Sequence, residues 1–138
     1  MINLMRAWVA TPLGEDEAAG GALIWVSGHN ALRQSPAEGE ESAEGQAQVE
    51  GFEAQFSLAM QRLERTLHEA GASWGDIVSA RAYVPEPDDI EALQARLGEF
   101  MREPRPALTI LCSQLRPGLL FEIECVAVRP RPNLHVGG

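Results

Sequence analysis

Two carboxylates, Glu122 and Glu124, interrupt the otherwise apolar run Leu119-Leu120-Phe121-Glu122-Ile123-Glu124-Cys125-Val126-Ala127-Val128. Strand side chains alternate between faces, so Leu119, Phe121, Ile123, Cys125 and Ala127 share one face, and Leu120, Glu122, Glu124, Val126 and Val128 the other. Both carboxylates therefore point the same way. A charge on a largely apolar face needs water, a basic partner or neutralisation, and a partly desolvated carboxylate can serve as a general base. A solvated sheet face, or a wet subunit interface without chemistry, satisfies the same pattern. Periodicity alone does not separate these readings.

Other reactive side chains are dispersed. His29, His68 and His135 show no H-x-x-x-H or mixed Cys/His spacing, so no metal site is expected. Cys112 and Cys125 both fall in expected core strands and read as buried structural thiols. With 20 acidic against 11 basic residues and a net charge of -9, the chain opposes nonspecific attraction to nucleic acid. Its longest apolar run is well short of the roughly 20 residues a membrane span needs, and Met1 to Ala10 lacks a secretory layout. A membrane role is not expected, and a cytoplasmic location is. The 138 residues fit a single domain, 1–138.

The elements that must position the carboxylates can be read from the same chain. Ile2 to Ala10 and Ala22 to Ser27, the latter ended by Gly28, suggest an opening hairpin, separated by an acidic turn-rich stretch. Residues 30–45 are rich in Ser, Glu, Gly and Ala and read as a flexible loop. Phe52, Phe56, Ala59, Met60, Leu63, Leu67 and Ala70 recur at three- and four-residue steps, predicting a helix from about Gln46 to Ala70 that Gly71 stops. The next strand spans Asp76–Val84 and is ended by Pro85-Glu86-Pro87. A second helix capped by Asp88 or Asp89 carries Ile90, Leu93, Leu97, Phe100 and Met101. Ala107–Cys112 reads as a central strand, Leu119–Val128 as the glutamate strand, and residues 129–138 as a tail.

The order β-β-α-β-α-β-β defines an α+β fold with two helices on one face of a single mixed sheet. Nothing in the chain is left to cover the other face. An apolar patch of that size usually marks association, which implies a symmetric oligomer with the glutamates near its interface.

Several segments together resemble the Rid family (YjgF-type, also called endoribonuclease L-PSP). They are Val26-Ser27-Gly28, Glu69-Ala70-Gly71-Ala72-Ser73, Gly75-Asp76-Ile77-Val78, Pro106-Ala107 and the glutamate strand, and the resemblance spans about Ala22 to Arg129. It implies a chorismate-mutase-like fold and a homotrimer with small-molecule pockets between subunits. It also implies hydrolysis of enamines and imines such as 2-aminoacrylate to 2-keto acids and ammonia without a cofactor; some members look like ligand binders or have been described as ribonucleases.

Carried over residue by residue, the resemblance makes Glu122 the group that orients or activates water, and Ser27 and Gly28 pocket-lining residues. His29 stands where glutamine is common and, two positions beyond Ser27, faces the same cavity if the strand stays regular. Leu108 occupies the position of an arginine that pairs with the substrate carboxylate, and Gln94 and Ile110 replace residues that are often Asn and Cys. Arg105, three residues before Leu108, falls on the opposite face if extended backbone persists. Three readings stay open. One is a hydrolase that keeps Glu122 but is not a standard 2-aminoacrylate deaminase, another a ligand-binding or regulatory trimer, and the third an RNA-cleaving protein, against which the acidic charge counts.

Overall fold

The computed structural model describes residues 5–10, 21–34, 46–103 and 105–129. The acidic stretch after Ala10, most of the 30–45 loop and the tail beyond Arg129 lie outside the described residues, as do residues 1–4 of the expected first strand.

Strands and helices come in the expected order: β1 (Ala7–Ala10), β2 (Ala22–Asn30), α1 (Phe52–Glu69), β3 (Ile77–Val84), α2 (Ile90–Phe100), β4 (Ala107–Cys112) and β5 (Glu122–Arg129). The five strands form one sheet in the order β1-β2-β5-β3-β4. Neighbours are antiparallel except β3 and β4, which run parallel. A parallel pair needs a crossover, and α2 supplies it.

One face of the sheet carries both helices. Phe56, Ala59, Met60, Leu63 and Leu67 of α1 and Leu93 and Leu97 of α2 are buried against Phe121, Ile123, Cys125 and Ala127, the alternate residues of the glutamate segment. Phe56 meets Phe121 at 4.9 Å between ring centroids and Phe100 at 5.8 Å, so both helices share one aromatic cluster. The helix α1 starts at Phe52, the first residue of its apolar stripe, and not at the expected Gln46, because Gly51 adopts φ +88° and Ala47 makes a bridge with Leu32 before the helix begins. It ends as expected: Gly71 takes φ +82°, its N–H reaches His68 O and that of Ala72 reaches Leu67 O, which satisfies carbonyls the helix end would orphan.

Two strand expectations change. Cys125 is buried, but β4 is the sheet edge rather than a central strand, and Cys112 on it is exposed. Burial, assisted by Glu124, pushes the Cys125 thiol up to about 12, so it stays protonated and inert at neutral pH. The residues before Glu122 pair with a helix instead of a strand. Buried Gln55 of α1 donates to Gly118 O (2.8 Å) and accepts from Leu120 N (2.8 Å).

The opposite face is open. Trp8, Leu23, Trp25 and Val128 are exposed on it; the Arg6 guanidinium lies over the Trp8 ring at 4.6 Å, and no described helix or strand covers them. No described helix is long and apolar enough to cross a membrane.

Candidate functional site

A single extra residue in β2 shapes the surroundings of Glu122. Ala22, Ile24 and Val26 face the core while Leu23 and Trp25 face out, as alternation requires. Against β5, however, Val26 pairs with Cys125 and His29 with Ile123: three steps along β2 for two along β5. This β-bulge, at Ser27-Gly28, inverts the alternation beyond it. His29 consequently turns into the core, and Asn30 lands on the open face opposite Glu122.

His29 therefore does not share a cavity with Glu122, contrary to the expectation from a regular strand. It is fully buried, with Nδ1 2.7 Å from Ser27 O and Nε2 2.7 Å from Thr66 Oγ1. Burial lowers its pKa, and Arg62 nearby adds to this against the opposing bond to Ser27. The neutral ring carries its proton on Nδ1, because the Ser27 carbonyl can only accept; Nε2 is then an acceptor facing the Thr66 hydroxyl, whose one proton it shares with Arg62 O at 3.1 Å.

Asn30 is held on both sides of its amide. Its Nδ2 donates to Glu122 Oε1 at 2.6 Å, and its Oδ1 accepts from Leu32 N at 2.9 Å. Arg62 on α1 donates from Nη1 to Asn30 O (2.8 Å) and Leu32 O (2.7 Å), and from Nη2 to Gln48 Oε1 (2.9 Å). Gly28 lies beneath the carboxylate. A Cβ there would sit 3.0 Å from Glu122 Cδ and 3.1 Å from Oε2, so any other residue would push the carboxylate by a few tenths of an ångström from its present place. Ser27 adjoins this site, but its hydroxyl is turned to Arg6, just before β1, accepting from Arg6 N and donating to Arg6 O, both at 2.9 Å.

Glu124, two residues on, has different company. Tyr83 donates to its Oε1 at 2.6 Å, and Arg81 Nη1 lies 3.7 Å from the same oxygen. That hydrogen bond to a carboxylate is the main reason the Tyr83 phenol is pushed up from its ordinary value.

The remaining expected site residues fall elsewhere. Leu108 and Ile110 pair with Ala80 and Ala82, the core-facing residues of β3, so they lie on the helix side of the sheet, away from Glu122. Gln94, Leu97, Gly98 and Met101 of α2 enclose with Arg105, Pro106 and Leu108 a cavity of about 340 Å³. Ile110 packs on the core and does not line it. Arg105 lines the same cavity as Leu108, against the expectation from alternation, because extended pairing begins only at Ala107 and face parity does not reach back past Pro106. Its Nε lies 3.3 Å from Glu103 Oε1.

Among the described residues no three His, Cys, Asp or Glu side chains converge as metal ligands would. Asn30 and Arg62 are the site residues that motif and periodicity pass over. The signal that points to them is Gly28: a glycine inside a strand marks a bulge or a close backbone approach, and here it marks both.

Residues 15–129 match the Endoribonuclease L-PSP family, to which the chain belongs. Similar proteins include ones named RidA, a member of the YjgF protein family and a RutC family protein. A RutC family protein of Synechocystis is 31% identical over 80 residues, 56% of this chain and 62% of that protein. The mitochondrial protein mmf2 of Schizosaccharomyces pombe is 26% identical over 130 residues, 91% of this chain and 94% of that one. The structure of RidA from an Antarctic Psychrobacter superposes with a TM-score of 0.62 at 24% identity, over 76% of this chain and 79% of that chain. Identities at this level establish the fold: one mixed sheet with two helices on one face.

Proposed function

We propose that the chain is a cofactor-independent hydrolase of an imine or enamine, working in a pocket between subunits of a homotrimer, with Glu122 as the base. The observation that carries this reading is the setting of Glu122, whose carboxylate is oriented by Asn30, rests on the backbone of Gly28 and faces the open side of the sheet. A second copy is part of the reading, since the α2–β4 cavity lies on the other side of the sheet in the same chain. A neighbouring subunit can bring its own α2–β4 edge over Glu122, closing apolar walls and the guanidinium of Arg105 around a small molecule.

In that pocket, water adds to the carbon of a C=N bond. One water proton passes to Glu122 and from there to nitrogen; the hydroxyl proton of the resulting carbinolamine then passes by way of Glu122 to the same nitrogen as the C–N bond breaks, releasing ammonia and leaving a carbonyl. An enamine enters the same route after a proton moves to its carbon. Leu108 withholds the bidentate arginine contact that fixes an α-carboxylate, so imines lacking that group are favoured over 2-aminoacrylate. The same residue favours a second reading, a ligand-binding trimer without catalysis, because losing that contact removes orientation as well as affinity.

The test is ammonia release from freshly generated 2-aminoacrylate and from an imine without a carboxylate. Acceleration of the second above buffer, abolished by Glu122→Gln, supports the hydrolase. No acceleration of either, with the fold intact, leaves the binding reading. Sedimentation as a monomer at micromolar concentration would contradict the shared pocket under either.

A further inference from the structure

We infer that Asn30 is a positioning residue for Glu122 and that Arg62 holds Asn30 in the orientation this requires; the catalytic consequence rests on the proposed role of Glu122, the structural coupling does not. The amide of Asn30 has one workable orientation. Leu32 N–H needs an acceptor and Glu122 Oε1 needs a donor, so Oδ1 faces the first and Nδ2 the second. A flipped amide would set two donors together at Leu32 and two acceptors together at Glu122, losing both bonds at once.

The backbone that carries this amide is pinned from α1. One guanidinium nitrogen of Arg62 donates to both Asn30 O and Leu32 O, so it cannot turn away without giving up a carbonyl. One helical turn further on, Thr66 contacts His29. The two residues just past the bulge are thus each fastened to the same rigid helix, one facing the core and the other the carboxylate.

This arrangement divides the labour between the oxygens of Glu122. Oε1 is engaged by Asn30, and Oε2 lies over Gly28, where no side chain intrudes. The geometry assigns Oε2 as the oxygen that receives the proton. Among the described groups around Glu122, Tyr83 stands opposite on β3, Glu124 lies two residues on with Arg81 beside it, and Arg62 sits behind Asn30. None of them is altered in the Asn30 variants.

Three variants test the inference. Asn30→Ala frees Oε1 and is expected to lower kcat on the order of tenfold to hundredfold with little change in KM, as loss of alignment does. Asn30→Asp sets a second carboxylate against the first and is expected to move the acid limb of the pH–rate profile to higher pH. Arg62→Lys keeps a charge but cannot fork two carbonyls and Gln48, and is expected to reproduce the kcat loss of Asn30→Ala in a protein that still folds.

A readout that needs no turnover accompanies these. The Glu122 side-chain carboxyl is followed by carbon NMR against pH in the wild-type protein and in Asn30→Asp. An upward displacement of its titration supports the coupling, and an unmoved titration overturns it. If Glu122→Gln abolishes hydrolysis while Asn30→Ala and Arg62→Lys leave kcat and the pH profile unchanged, positioning is refuted and the base stands. If hydrolysis is absent altogether but the titration moves, the proposed activity is refuted and the coupling stands.

Discussion

Glu122 and Glu124 leave the sheet on the same face, two positions apart on β5, yet they meet opposite kinds of neighbour. Glu124 is flanked from β3 by a phenol and a guanidinium, Tyr83 and Arg81, and its charge is answered locally. Glu122 is met from β2 by a neutral amide and a glycine, Asn30 and Gly28, which orient the carboxylate without cancelling its charge. A carboxylate answered by a cation is suited to holding structure, and one aligned by a neutral donor is suited to taking a proton. What separates them is the bulge in β2. It gives Glu122 a partner that the regular strand would have turned into the core.

The contrast is sharpest in the carboxylates themselves. Glu122→Gln is expected to lower the rate of imine hydrolysis on the order of a hundredfold to ten-thousandfold, whereas Glu124→Gln changes it by less than about threefold. Parallel kinetics on both variants checks this, and a larger loss from Glu124→Gln would invert the comparison. Gly28→Ala comes next. Its methyl displaces the carboxylate, so activity falls about tenfold, while stability changes by less than about 1 kcal/mol because only the flexible end of Glu122 has to move, read by denaturant unfolding.

The buried side of the bulge has its own signature in pH. In the fold, the His29 pKa lies below its ordinary value of 6.5, chiefly because burial disfavours the imidazolium. Below that ordinary value the unfolded chain binds more protons than the folded one, so stability is complete above it and is lost as pH falls toward the folded value. The melting temperature should therefore drop as pH falls below the ordinary histidine value of 6.5, and His29→Gln should flatten that part of the drop. An identical slope in the variant would remove His29 as the cause.

The smallest effects belong to the Glu124 side. Arg81→Ala should cost no more than about 1 kcal/mol, because the pair is well exposed to solvent and screened. Tyr83 is the chain's one tyrosine, so its ionisation can be followed by absorbance. In Glu124→Gln its titration should move down toward the ordinary tyrosine value, since the carboxylate is what raises it.

Much of this architecture is legible in the residues themselves. Alternation correctly divides the glutamate strand, because Leu119, Phe121, Ile123, Cys125 and Ala127 are all buried and their neighbours are not. The helical stripe of α1 is equally plain, since burial of Phe56, Met60, Leu63 and Leu67 tracks their spacing. The site is harder for a physical reason. Period-two reasoning assumes unbroken pairing, which the bulge at Ser27-Gly28 interrupts and which does not extend to Arg105, since β4 starts at Ala107. His29, Asn30 and Arg105 all lie just beside such a break, and each changes face or partner because of it. Sheet position is equally hidden. Whether β4 is central or at the edge depends on how β5 inserts between β2 and β3, which no local pattern in Ala107–Cys112 records.

The extra residue in β2 also separates two things that strand length usually ties together. Deleting either Ser27 or Gly28 would leave Val26 opposite Cys125 and His29 opposite Ile123, now two steps against two, so the imidazole and the Asn30 amide would keep their faces. The losses would be local. Without Gly28 the carboxylate has no seat, and without Ser27 the clasp on Arg6 is gone. A deletion in the middle of most strands reverses every side chain beyond it, whereas here it would spare the sheet and spoil only the ground under Glu122. The surplus residue is therefore a point at which descendants of this chain could shed an activity while keeping the fold.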